Sequence, residues 1–190
     1  MTLFIIGLAL FLGLHSLTLY APGLRALLAA RLGEGPWRGL YSLVSLAGIV
    51  CMALGFQDAR FASPLLYLPP RSLKLLSVLL MLPVFTMAAA AYLPGRIRDR
   101  LKYPLLVAVK TWALAHLLAN GRLVDVLLFG GFLAWAVLLR IRYKRRPARA
   151  VAIAPPRPYN DLLAVGIGLL AYAVFLMGLH QRLFGVAPFG

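Results

Sequence analysis

Three histidines, one cysteine and five carboxylates are the groups this chain offers for metal ligation. Two of the histidines stand in surroundings that demand an explanation. His15 lies in "FLGLHSLTLY", residues 11–20, and His116 in "WALAHLLANG", residues 112–121. Both runs are uncharged and apolar. An imidazole held away from water hydrogen-bonds a neighbouring helix, relays protons or ligates a metal. Two neutral imidazoles on facing helices form a natural axial pair for a haem iron, with the porphyrin filling the apolar gap between them. Trp112 and Phe11 each precede their histidine by four residues and so share its helix face. Such neighbours suit a porphyrin and suit ordinary packing equally, so on spacing alone all three uses stay open.

Other metal classes lack their residues. There is no H-E-x-x-H and no His-carboxylate spacing, and the single Cys51 permits neither a cysteine-based zinc site nor a C-x-x-C-H haem attachment. Cys51 reads as a small buried apolar residue. Asp125 and His180 fall near the ends of apolar runs, where water or headgroups reach them. Lys110 is expected to snorkel toward a membrane boundary.

The elements that position these residues follow from composition. The 190 residues are 62% hydrophobic and 13% charged, with a mean hydropathy of +0.87. An ordinary globular domain carries about 25% charged residues. The apolar residues fall into long uncharged runs, and lipid cannot satisfy open backbone groups, so the expected fold is all-α: a polytopic transmembrane helix bundle in a single domain, 1–190. A span needs about 20 apolar residues to cross roughly 30 Å of hydrocarbon. Six spans are predicted, at 2–20, 39–57, 72–93, 104–119, 123–140 and 161–181. The first reads as a permanent span, because no positive segment precedes it and no small-residue cleavage site follows. Asn160-Asp161 is a plausible N-cap pair for the last. Pro83 predicts a kink in the third, and the scattered glycines predict close helix packing.

The formal charge is +15, and the basic residues sit between the apolar runs. That placement suits topology and anionic headgroups and argues against nucleic acid as a partner. The connectors 20–38, 94–103 and 140–160 hold most of the Lys and Arg; Arg60, Arg71, Lys74, Arg122 and Arg182 lie on the other side. The richer side is expected to face the cytoplasm, which puts both termini in the periplasm. Residues 24–32 form a short amphipathic stretch suited to the interface. Residues 142–158 are basic and proline-rich and read as a connector touching anionic lipid. At 1.5 Å per residue, His15 falls roughly 20 Å below the outer boundary and His116 roughly 12 Å below it, on antiparallel helices.

Four stretches carry a resemblance: "LGLHSL", "RLGEGPWRGLYSLVSLAG", "AAYLPGRIRDRLKYPLLVAVKTWALAHLLANG" and "LLFGGFLAWAVLLRI". Over about residues 1–145 the chain resembles the NnrU family. The resemblance implies a bacterial inner-membrane protein associated with denitrification, alongside nitrogen-oxide reductase machinery. That family is similar to 15-cis-zeta-carotene isomerase, an integral membrane enzyme whose b-type haem is held by histidines. By that likeness His15 in "LHS" and His116 in "LAH" inherit the ligand assignment for haem b, and a lipophilic polyene becomes a candidate substrate for cis-trans isomerisation. The isomerase has a further histidine that substitutes as a ligand; this chain has no clear counterpart, and His180 is a poor stand-in. Arg38, Lys110 and Arg122 are the cations whose depth suits haem propionates. "LKYPLLVAVKTWALAHLL" also loosely resembles the helix start of membrane methyltransferases, but the glutamate pair of those enzymes is missing, since Glu34 is the chain's one glutamate. A structural partner of a respiratory complex, with no cofactor, is the remaining alternative.

Overall fold

The structure, a computed structural model, describes residues 1–145 and 154–188. Residues 146–153, about half of the predicted lipid-touching connector 142–158, lie outside the described residues. The fold is helical: α1 (Thr2–Tyr20), α2 (Pro22–Leu32), α3 (Glu34–Phe61), α4 (Arg71–Ala90), α5 (Arg96–Leu101), α6 (Pro104–Ala119), α7 (Leu123–Arg145), α8 (Asn160–Val174) and α9 (His180–Phe184). A π turn, Phe175–Leu179, joins the last two. No strand occurs among the described residues beyond an isolated antiparallel bridge between Leu65 and Arg122.

Burial runs opposite to that of a soluble protein. Ala59, Ala90, Ala113, Ala115, Ala136 and Ala164 are fully buried, while Leu54, Leu162 and Leu170 are about two-thirds or more exposed. Small residues inside let helices approach closely, and large apolar ones outside meet hydrocarbon, which is how helices pack in lipid. Four helical stretches are long and apolar enough to cross a membrane: Glu34–Phe61, Arg71–Ala90, Leu123–Lys144 and Asn160–Phe184. A fifth arises if Thr2–Leu17 and Pro22–Leu32, bent by 90°, count as one broken span. The predicted span 104–119 is a 16-residue apolar helix, α6. At 1.5 Å per residue that is about 24 Å, short of the hydrocarbon thickness.

Several boundaries differ from expectation, each for a local reason. The second span begins at Glu34 rather than 39, because Pro36 falls in the first turn of α3, where a missing N–H costs nothing. The break lies at Gly33, whose φ of +89° suits glycine. Pro83 lies inside α4, which runs on through it. The last span is interrupted at Gly178, with φ +132° and ψ −9°.

The chain forms two compact units: Met1–Tyr67 with Gly121–Trp135, and Leu68–Asn120 with Ala136–Gly190. In the first, α1 lies against α3, and the approach is so close that a Cβ on Gly55 would stand 2.5 Å from the backbone nitrogen of Phe4. Phe4, Ala59 and Val124 form its buried core, flanked by Leu8, Met52, Phe56, Leu127 and Leu128. In the second, α4 packs against α6 and α8. Val84, Met87 and Ala108 are its core, with Met81 and Trp112 against them. The Tyr172 hydroxyl on α8 donates to the carbonyl of Val78 on α4 (2.9 Å).

Two helix starts are completed by side chains from distant sequence. The N–H of Val124, in the first turn of α7, donates to the buried Ser63 hydroxyl (2.8 Å), and the Arg122 guanidinium donates to the Ser63 carbonyl (3.1 Å). Beside it Asp125 is 1% exposed and not reached by water as its place in the sequence suggested. Asp125 accepts from the Arg122 N–H (3.3 Å). Burial, and secondarily the Asp125 carboxylate, pushes the Tyr67 phenol above its ordinary value. At the other start, Asp161 accepts from the N–H groups of Arg96 (2.9 Å) and Ile97 (3.0 Å) on α5. Asn160 donates to the carbonyls of Pro94 (2.8 Å) and Pro155 (3.0 Å). The Asn160-Asp161 pair, expected to cap its own helix, instead ties α8 to α5 and to the chain on both sides.

Candidate functional site

His15 sits on α1 in the first unit, four residues after Phe11. Its Nδ1 lies 2.8 Å from the Phe11 carbonyl, and the Phe11 ring stacks on it at 4.1 Å. The α1–α3 contact brings Tyr41 to 5.2 Å, and α7 supplies Trp135 at 6.1 Å, nearly perpendicular. The histidine predicted from sequence therefore lies in an aromatic cage drawn from three helices. Beside it, the buried Trp135 indole N–H has no acceptor among the described residues.

His116 sits on α6 in the second unit. Its Nδ1 lies 2.9 Å from the Trp112 carbonyl, with the Trp112 ring at 5.3 Å. Asn120 closes the helix behind it, its side-chain amide donating to the His116 carbonyl (3.0 Å). Within this unit His180 also packs against His116, with centroids 6.3 Å apart and planes at 28°. The sequence placed His180 at an outer interface as a poor ligand, and this contact was missed. Its cause is backbone geometry. The break at Gly178 redirects the chain into α9, and the left-handed Gly185 (φ +73°) turns it back so that the Val186 carbonyl meets His180 Nδ1 at 2.7 Å. Phe184 packs on the same ring at 5.0 Å.

All three imidazoles share one device. A carbonyl oxygen only accepts, so each Nδ1 carries the proton and, in the neutral ring, Nε2 carries the lone pair. Metal-ligating histidines are held in this way, with the second nitrogen oriented by a carbonyl or carboxylate. Among the described residues, no three His, Cys, Asp or Glu side chains gather into a closed metal cage. The donor set fits a group that asks the protein for one or two imidazoles.

The cations matched by depth to propionates are differently placed. Arg38 pairs with Glu34 at 3.4 Å on an exposed face. Arg122 is committed to the carbonyls of Ser63 and Arg60. Lys110 is half-buried on α6.

Apolar helices of spanning length, alanine-lined contacts and outward leucines define a helical multi-pass membrane protein. Within that class, the NnrU family, described as "NnrU protein", matches residues 3–188. The chain belongs to the NnrU family over nearly its whole length, the tail beyond residue 145 included. Comparison with curated proteins and with solved structures returned no match.

Proposed function

We propose that this chain is a b-type haem protein of the bacterial inner membrane, with an auxiliary role in nitrogen-oxide metabolism. Six spans with both termini in the periplasm complete the reading, α6 being a short span and α2 an interfacial helix. His15 and His116 are the residues that hold the haem. The observation that carries the reading is the shared Nδ1–carbonyl hydrogen bond, which readies Nε2 of each ring for iron. The aromatic cage at His15 gives a porphyrin apolar surface, and the Trp135 N–H offers a buried donor to an oxygen of an incoming group. Bound haem supplies one-electron chemistry and an iron able to take small ligands such as nitric oxide. This chain's own residues orient the ligating rings and exclude water.

A second ligand set is supported by His180. The His116 and His180 rings lie 6.3 Å apart, centroid to centroid, so these two imidazoles would hold one haem iron between them. A cis-trans isomerase acting on a polyene is the alternative activity for the same haem, tested by isomer ratios in a host accumulating 15-cis-zeta-carotene.

The test is a reduced-minus-oxidised spectrum of protein purified from haem-replete cells, repeated for His15→Ala, His116→Ala and His180→Ala. Haem bands in the wild type that vanish in His116→Ala support the reading. Loss in His15→Ala but not His180→Ala assigns the first ligand set, and the reverse assigns the second. Absence of a Soret band in the wild type defeats both.

A further inference from the structure

A cleft of about 410 Å³ opens where α4 ends and α8 begins, lined by Pro94, Gly95, Arg96, Asp99, Pro156, Arg157 and Pro158. It is a shallow cleft, open to solvent on one side, that would leave a bound group partly exposed. Its two walls are fixed to each other. The buried Asn160 amide bridges the carbonyls of Pro94 and Pro155, and Asp161 holds the start of α5. The Arg96 and Ile97 N–H groups are thereby taken, so the cleft's recognition falls to its charged side chains. Those are Arg96 and Asp99 on one wall and Arg157 on the other, all three exposed. The Arg157 guanidinium rests over the Tyr159 ring at 5.9 Å, near the outer limit of a cation–π contact.

The cleft's level is marked by its neighbours. It directly follows one stretch of spanning length, Arg71–Ala90, and directly precedes another, Asn160–Phe184. Tyr92 and Tyr159 flank it in sequence, and both are exposed. Exposed tyrosines at helix ends are the usual sign of the headgroup layer. Two guanidiniums and one carboxylate in a pre-formed cleft at that level match a headgroup carrying one anion and one cation. Arginine suits a phosphate oxygen pair, and a carboxylate suits a primary ammonium that can donate to it. A quaternary ammonium has no N–H for the carboxylate and prefers aromatic walls, whereas these walls carry prolines.

We infer that this cleft binds the phosphoethanolamine headgroup of a membrane lipid, Arg96 and Arg157 meeting the phosphodiester and Asp99 the ammonium. The site belongs to the second unit and stands apart from the haem reading.

The test is calorimetric titration of the full-length protein in detergent with dihexanoyl phosphatidylethanolamine, phosphatidylcholine and phosphatidylglycerol, and with water-soluble glycerophosphoethanolamine. The ethanolamine lipid should bind about tenfold more tightly than the other two, the size expected of one charge-assisted hydrogen bond. The double variant Arg96→Gln/Arg157→Gln should lose at least that factor for every lipid. Asp99→Asn should erase the preference for ethanolamine over glycerol. Arg96 supports the fold through its backbone N–H, which glutamine keeps, and circular dichroism of each variant checks this. Equal affinity for the three lipids, or unchanged binding in the arginine variant, overturns the inference. Glycerophosphoethanolamine binding as tightly as the lipid also overturns it, by making the ligand a soluble phosphodiester.

Discussion

Asp161→Ala should loosen the join between α5 and α8. The carboxylate satisfies two N–H groups at the start of α5, 64 and 65 residues away in sequence. Removing an N-terminal capping side chain costs about 0.5–2 kcal/mol. Here two donors lose their acceptor at once, but the Arg96 bond is exposed, so water replaces part of it. A loss of about 1–2 kcal/mol is the result. A chain of this length shifts by roughly 2–4 °C per kcal/mol, so the melting temperature should fall by about 2–8 °C. Asp161→Asn keeps one acceptor oxygen and should fall by about half as much. Leu162→Ala, at an adjacent side chain 74% exposed, is the control and should barely move in detergent. Thermal unfolding followed by far-ultraviolet circular dichroism in a mild detergent reads all three. A melting temperature for Asp161→Ala equal to that of Leu162→Ala would refute the idea that α5 is capped from α8.

Gly55→Val tests the α1–α3 contact. A Cβ there meets the Phe4 backbone, which cannot swing aside, so the helices must part at a cost of about 1–3 kcal/mol. Gly13→Ala, where a Cβ meets nothing within 4 Å, should leave stability unchanged or raise it by up to about 1 kcal/mol; comparison of the two melting curves checks both. For topology, alkaline phosphatase fused to either terminus should be active and a fluorescent protein in the same place dark. Opposite behaviour of the two termini would mean an odd number of spans.

The helices were legible because unbroken apolar runs leave a chain in lipid no other way to satisfy its backbone. Their ends were less so. "GEGPW" reads as a connector, yet a proline in the first turn of a helix is harmless, and α3 starts inside it. The Asn160-Asp161 pair has the composition of a cap, but which helix a carboxylate caps depends on what folding brings beside it. Asp125 looked wet from its place at a helix start and is 1% exposed, burial that tertiary packing sets. His15 and His116 stood out as polar groups in apolar surroundings. His180 did not, because its approach to His116 depends on backbone reversals at Gly178 and Gly185. Glycine signals such a reversal only weakly when nine other glycines lie scattered through the predicted spans.

The absorption spectrum of the full-length protein, purified from haem-replete cells and compared with His15→Ala/His116→Ala, tests the central claim most directly. The account predicts a Soret band and a reduced α-band in the wild type, both absent from the double variant. A wild type with no haem bands, or bands that persist unchanged in the double variant, would contradict it.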